Sequence, residues 1–183
     1  MTKPHFGIDP GKKGAVVLRD EGGVVLAWRT PLIKGQAGVD EYDLPAMHGI
    51  CNQLKALGAK GCIESVSAFP TQGDAMSSSS SNHISSVGFG FWLACLKITG
   101  LTYTEVPSQS WRPAVGVQVK IVKVGKRATK EEKAVAKKER KLVSIQRAQE
   151  LGFTPKGDGE ADAFHIARYA QIHYATPHPV LPA

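Results

Sequence analysis

Apolar and polar positions change their period several times along the 183-residue chain, and each change marks an element. HFGID (residues 5–9) is short and apolar until it meets Asp9, while AVVL (15–18) and VVLAW (24–28) are β-rich runs separated by the turn segment RDEGG. Such runs, bounded by Gly and Asp, predict three consecutive antiparallel strands at His5–Asp9, Ala15–Leu18 and Val24–Trp28. The period then lengthens. Leu44, Met47, Ile50, Cys51, Leu54 and Leu57 recur at three- and four-residue spacing and Gly58 follows, which predicts an amphipathic helix over 41–57 with a glycine at its end. Lys60–Ser65 (KGCIES) reads as a buried strand.

Val66–Ser86 holds Pro70, Gly73 and a serine run, with neither the apolar content nor the period of a packed element, so a long mobile loop is expected. FGFWLACLKI predicts a strongly apolar helix to about Thr99, stopped by Gly100, and Leu101–Val106 alternates like a strand. A short helix opens at Pro107–Ser108. VQVKIVKVGKR (117–127) alternates apolar and basic residues, as a β-hairpin arm or an extended insertion would, and Ala128–Leu151 reads as a Lys/Arg/Glu-rich helix stopped by Gly152. A last helix from Gly159 to Ala175 carries Ala161, Phe164, Ile166, Ala167 and Ala170, before the irregular TPHPVLPA. The predicted order is β β β α β α β α α α: an α/β fold with a mixed sheet covered by helices. Its length suits one domain over 1–176 with a Pro-rich tail at 177–183.

Composition narrows the partners. With 23 Lys+Arg against 16 Asp+Glu the formal charge is +7, which favours a polyanion such as nucleic acid over an acidic small molecule. Cys51, Cys62 and Cys95 are odd in number, widely spaced and set among apolar neighbours, so they read as reduced core thiols and not as disulfides or a zinc site. The N-terminus lacks a signal-peptide apolar region and no apolar run reaches spanning length, so a soluble, cytoplasmic protein without a membrane partner is expected.

The candidate chemistry lies in the acids. Asp9 is read as standing at the carboxyl end of a central strand, and Pro10, Gly11 and Gly14 follow, so its carboxylate is expected to be exposed at a sheet edge where a phosphate backbone could approach. An Asp that merely caps its own turn gives the same local sequence. Glu64 ends a second apolar strand, and if the two strands are neighbours the carboxylates repel, an arrangement no protein keeps for stability. Asp158 and Asp162 are four apart and share one helix face, although Asp158 also suits an N-cap and Glu160 a first-turn acid. Four acids converging without basic partners would be relieved by Mg²⁺ or Mn²⁺, and a pair of such ions serves phosphodiester hydrolysis.

GIDPGKKGA, CIES, VPSQSWRPAVG and GEADAFHIARYA, in that order over about residues 5–175, resemble the RuvC branch of the RNase H-like nuclease superfamily. With AFP after the Glu strand and GFGFWLACL before VPSQSW, the chain is most similar to the Holliday-junction resolvases of plant chloroplasts and their bacterial and phage relatives. The resemblance implies an RNase H-like fold with a five-stranded mixed sheet, three antiparallel strands followed by parallel ones. It also implies a homodimer, Mg²⁺ dependence, and paired symmetric nicks in four-way DNA junctions that leave a 5′-phosphate and a 3′-hydroxyl. Such relatives place the protein in a bacterial or phage setting, at the nucleoid.

Carried over by position, Asp9, Glu64 and Asp162 fall on the family's invariant acids. Its fourth ligand is an Asp or His three or four residues before the last acid, which favours Asp158 and leaves Glu160 and His165 as contenders. Phe69 is either a wedge at the junction centre or an anchor of its own loop. Arg112, after Trp111, lies where the resemblance places a basic residue near the cut DNA strand, or is an ordinary surface Arg, and Gln109 beside it is expected to contact DNA; Lys120, Lys123, Lys126, Arg127 and Lys130 open a basic stretch continuing through Lys133, Lys137, Lys138, Arg140 and Lys141. Phosphate contact explains this excess; a solvated helix with Glu–Lys pairs explains part of it. Phe89, Phe91, Trp92 and Trp111 are expected in the core or a dimer interface. The segment Gln118–Arg140 is longer and more basic than the family's usual connection. Two further readings fit the same acids or charge: a junction-binding module without cleavage, and a related nuclease acting on RNA or other branched DNA.

Overall fold

The computed structural model describes residues 3–36, 38–66, 79–118 and 129–175. Strands β1 (His5–Asp9), β2 (Ala15–Asp20) and β3 (Gly23–Arg29) form an antiparallel meander. Next come a small hairpin of β4 (Leu32–Lys34) and β5 (Asp40–Tyr42), helix α1 (Leu44–Ala56), strand β6 (Lys60–Glu64) and helix α2 (Ser79–Thr99). The chain continues through β7 (Thr102–Val106), α3 (Ser108–Ala114), α4 (Lys130–Glu150) and α5 (Asp158–Ala175). β6 lies parallel to β1, and β7 parallel to β6, giving one mixed five-stranded sheet in the order β3-β2-β1-β6-β7. These are the strand directions the RNase H-like expectation requires.

The two-residue period of the strands sorts their side chains onto two faces. Phe6, Ile8, Val16 and Leu18 pack under Met47 and Leu54 of α1 and Trp92 and Leu96 of α2, all fully buried. The opposite face carries Ala15, Val17 and Cys62, covered by α5 with Trp111 of α3 and Ala148 of α4. At Gly7, in the central strand, α5 comes very close: a Cβ there would stand 2.2 Å from the Ala167 nitrogen and 2.3 Å from the Ala163 carbonyl oxygen. Only glycine lets the helix backbone rest on the strand.

Several expectations need correction. α1 starts at Leu44 and not at 41, because the Asp43 carboxylate accepts from the Ala46 N–H and Pro45 suits the first turn, where no N–H is needed. Residues 40–42, with Glu41 and Tyr42 expected inside that helix, pair with 32–34 in a hairpin the sequence pattern missed. α2 begins at Ser79, inside the expected loop. Once an apolar helix is nucleated, each added serine costs only a fraction of a kcal/mol, so helix runs back through the serine run. Most of the expected 117–127 arm, the rest of the expected loop and the tail lie outside the described residues. Among the described residues no helix is long and apolar enough to cross a membrane. All three cysteines are buried as free thiols.

Candidate active site

Asp9 and Glu64 are the last residues of β1 and β6. Ile8 stands opposite Ile63 in the parallel register, so the acids leave adjacent strands at the same level. β1 is the third of five strands, so Asp9 stands at the carboxyl end of a central strand, as expected, although its carboxylate is half-buried there and not fully exposed. The turn after it is built from glycines. The Gly11 N–H donates to Asp9 Oδ1 at 3.3 Å, so the turn-capping reading also holds, and the Gly14 N–H closes the turn on the Gly11 carbonyl at 2.8 Å. A Cβ on Gly14 would stand 2.1 Å from the Asp9 carbonyl oxygen, and one on Gly159 2.1 Å from the Lys13 carbonyl oxygen. A Cβ on Gly88 of α2 would come within 2.5 Å of the Pro10 carbonyl oxygen. The turn is thus clamped between α2 on one side and the first turn of α5 on the other, and α5 carries Asp158 and Asp162 to the same place.

The electrostatics record the convergence. Burial raises the Asp9 carboxyl from its ordinary 3.8 to about 7, helped by the charges of Asp162 and Asp158 and opposed by the Gly11 N–H and by Arg112. Glu64 is raised from 4.5 to about 8, first by burial and then by the charges of Asp9 and Asp162, with Arg112 opposing. Asp162 is also raised by burial, against Arg112 and the Ser144 hydroxyl. Distant parts of the chain therefore share one desolvated negative pocket. The Trp111 indole N–H weakly favours the charged form of Glu64, although no acceptor stands in full hydrogen-bonding geometry to it.

The acids are not without basic partners. Arg112 Nη2 donates to Asp162 Oδ2 at 2.8 Å while the Ser144 hydroxyl donates to Oδ1 at 2.5 Å, and Lys141 is ion-paired with Asp158. Arg112 reaches Asp162 across fifty residues of sequence, a separation at which no local pattern speaks. Lys141, expected to face phosphate, instead pairs with Asp158 while staying partly exposed, because its place on α4 meets the first turn of α5. Among the described residues Asp9 and Glu64 form no ion pair, so two cations face four carboxylates. Such oxygen donors suit a hard divalent cation, yet among the described residues no three His, Cys, Asp or Glu side chains stand together in metal-holding geometry. The donor chemistry fits Mg²⁺, with two of the four carboxylates held on the protein's own cations.

Of the contenders for the fourth position, Asp158 is the one whose charge reaches Asp9. Glu160 turns away: it pairs with Arg29 at 3.2 Å and accepts from the Lys156 N–H at 2.7 Å. His165 is fully buried, donates from Nε2 to the Ser144 carbonyl at 3.0 Å, and is pushed by burial down to about 4, so it stays neutral. Gln109 is exposed on α3, and Arg112 stacks over the Trp111 ring at 4.5 Å besides holding Asp162. Lys137, Lys138 and Arg140 are exposed on α4, and Lys130 opens that helix. Phe69, Lys120, Lys123, Lys126 and Arg127 lie outside the described residues. Phe89, Phe91, Trp92 and Trp111 join the core as expected. Ser144 escaped the sequence reading; its signal was a small polar residue four before Ala148, on the one face of a charged helix that could be buried.

Compared with known proteins, the chain matches no protein-family model and no curated protein. Among solved structures, one of RuvC from Thermus thermophilus aligns over 90% of each chain at 17% identity with a TM-score of 0.47. RuvC from T. thermophilus in complex with Holliday junction substrate aligns over 91% of this chain and 90% of that one, at 18% identity and a TM-score of 0.46. Scores of this size at such identity leave the function to be read from the site's own residues.

Proposed function

We propose that the chain is a Mg²⁺-dependent endonuclease that resolves four-way DNA junctions as a homodimer, each protomer nicking one strand symmetrically across the crossover. The observation that carries this reading is the burial of Asp9 and Glu64 at adjacent strand ends, under the charge of Asp162, with their pKa values held near 7 and 8. Such crowding costs stability and is relieved only by added positive charge. The order of the four motifs supports the family, and the excess of Lys+Arg supports a nucleic-acid substrate. The narrower likeness to chloroplast resolvases rests on AFP, GFGFWLACL and VPSQSW alone.

Asp9, Glu64 and Asp162 would hold the divalent ions, with Asp158 as the fourth group. The ions would supply the positive charge that stabilises phosphodiester hydrolysis to a 5′-phosphate and a 3′-hydroxyl. The chain's own residues prepare the place. Gly11 holds one oxygen of Asp9, and Arg112 and Ser144 orient Asp162.

A synthetic mobile four-way junction offered with Mg²⁺ tests the reading. Paired nicks symmetric across the crossover are expected, with Asp9→Asn slower by about a thousandfold while still shifting the junction in a gel. Cleavage by Asp9→Asn at the wild-type rate defeats the proposal, and junction binding without cleavage by the wild type moves the reading to a binding module.

A further inference from the structure

We propose that Ser144 is a positioning residue for the acidic site: its hydroxyl fixes the plane of the Asp162 carboxylate, so that the seat of α4 on α5 decides how that acid is presented. What Asp162 is presented to rests on the nuclease reading; the contact itself does not.

α4 docks on α5 through two rungs. Lys141 and Ser144, three apart on one helix, meet Asp158 and Asp162, four apart on the other, so both pairs lie on facing stripes. Ser144 is only 1% exposed. Its hydroxyl reaches Asp162 Oδ1 at 2.5 Å, and its carbonyl accepts from His165 Nε2 at 3.0 Å, tying the same residue to α5 a second time. The other oxygen of Asp162 is taken by Arg112, on α3. Donors from two elements therefore set the carboxylate's orientation, and the two differ in kind. Arg112 brings charge, which an entering cation would make redundant; the serine hydroxyl brings direction without charge and stays compatible with one. A buried carboxylate with a single donor keeps a free torsion, and partners that orient ligands in this way are worth 10–100-fold in metal affinity or activity. The exposed face of α4 carries Lys137, Lys138 and Arg140, so the helix offered to phosphates is also the helix that holds the acid.

Three measurements on the full chain decide it. In EDTA, unfolding of Ser144→Ala, Asp162→Ala and the double variant should be non-additive, since the two groups touch; additive effects overturn the contact. In titrations of Mn²⁺ alone, without DNA, Ser144→Ala should bind about ten- to a hundredfold more weakly than the wild type. On the junction its kcat should fall by a similar factor with KM unchanged. Ser144→Ala with wild-type Mn²⁺ affinity and wild-type kcat reduces the residue to packing and overturns the proposal. A wild type that binds Mn²⁺ but cleaves no junction defeats the nuclease reading and leaves Ser144 to be judged on the Mn²⁺ titration; one that does neither defeats both.

Discussion

Gly7 and Gly49 differ by nothing in chemistry and by everything in surroundings. A methyl group at Gly7 would run into the backbone of α5 at 2.2 Å, and backbone cannot swing aside as a side chain can. A methyl at Gly49, inside α1, meets nothing within 4 Å. Gly7→Ala is therefore expected to destabilise by about 1–3 kcal/mol or more. Gly49→Ala should stabilise by about 0.5–1 kcal/mol, because alanine gives up less chain entropy in a helix. Urea unfolding of the two variants checks the opposite signs. On the proposed reading the Gly7 substitution should also depress junction cleavage, since lifting α5 from β1 moves Asp162 away from Asp9; two variants of equal stability would remove the close packing from the account of the site. In the sequence Gly7 is an unremarkable residue inside a strand, and only the helix lying on it gives it meaning.

At the scale of elements, legibility follows how local the cause is. β1 and β6 could be read because each is a five-residue run, buried at its three middle positions and closed by an acid, and the ends of α2 and α4 because Gly100 and Gly152 adopt positive φ just beyond them. The β4–β5 hairpin could not: LIK and DEY are three residues each and mostly exposed, so no face is marked. The pairing of Arg112 with Asp162 was equally silent, being a product of α3 and α5 crossing. α4 shows a locally written element standing partly clear of the core. Every described side chain from 131 to 140 is exposed, and the first buried residue is Ser144. Its start is held by Thr129 and Glu132, which exchange side-chain and backbone hydrogen bonds in a capping box. Thr129→Ala is expected to cost about 1 kcal/mol locally. Hydrogen exchange in the first two turns of α4 should then quicken about fivefold, with the global unfolding midpoint unchanged; a shift of that midpoint would show the whole helix to be part of the cooperative core.

For the whole molecule, the buried acids set how stability varies with pH. Asp9 ionises at 3.8 when exposed but at about 7 when folded, and Glu64 at 4.5 against about 8. Between these limits the folded state holds protons that the unfolded state has released, so each group costs stability progressively as pH rises from about 4 to its folded value. Asp162 works in the same direction. His165 works in the other: folded it protonates at about 4 in place of 6.5, so its cost grows as pH falls through that range. The opposing slopes partly cancel below 6.5, and above it the acids act alone. Without divalent ions the melting temperature should therefore fall from pH 6 to pH 8, and Asp9→Asn or Glu64→Gln, each neutral at every pH, should flatten the fall and leave the variant more stable than wild type at pH 8. On the proposed reading Mg²⁺ competes with protons for the same oxygens, so its stabilising effect should be larger at pH 8 than at pH 6. Melting curves in EDTA and in Mg²⁺ at the two pH values read all of this; a wild type equally stable at both, with no gain from neutralising Asp9, would mean that the carboxylates are not confined together.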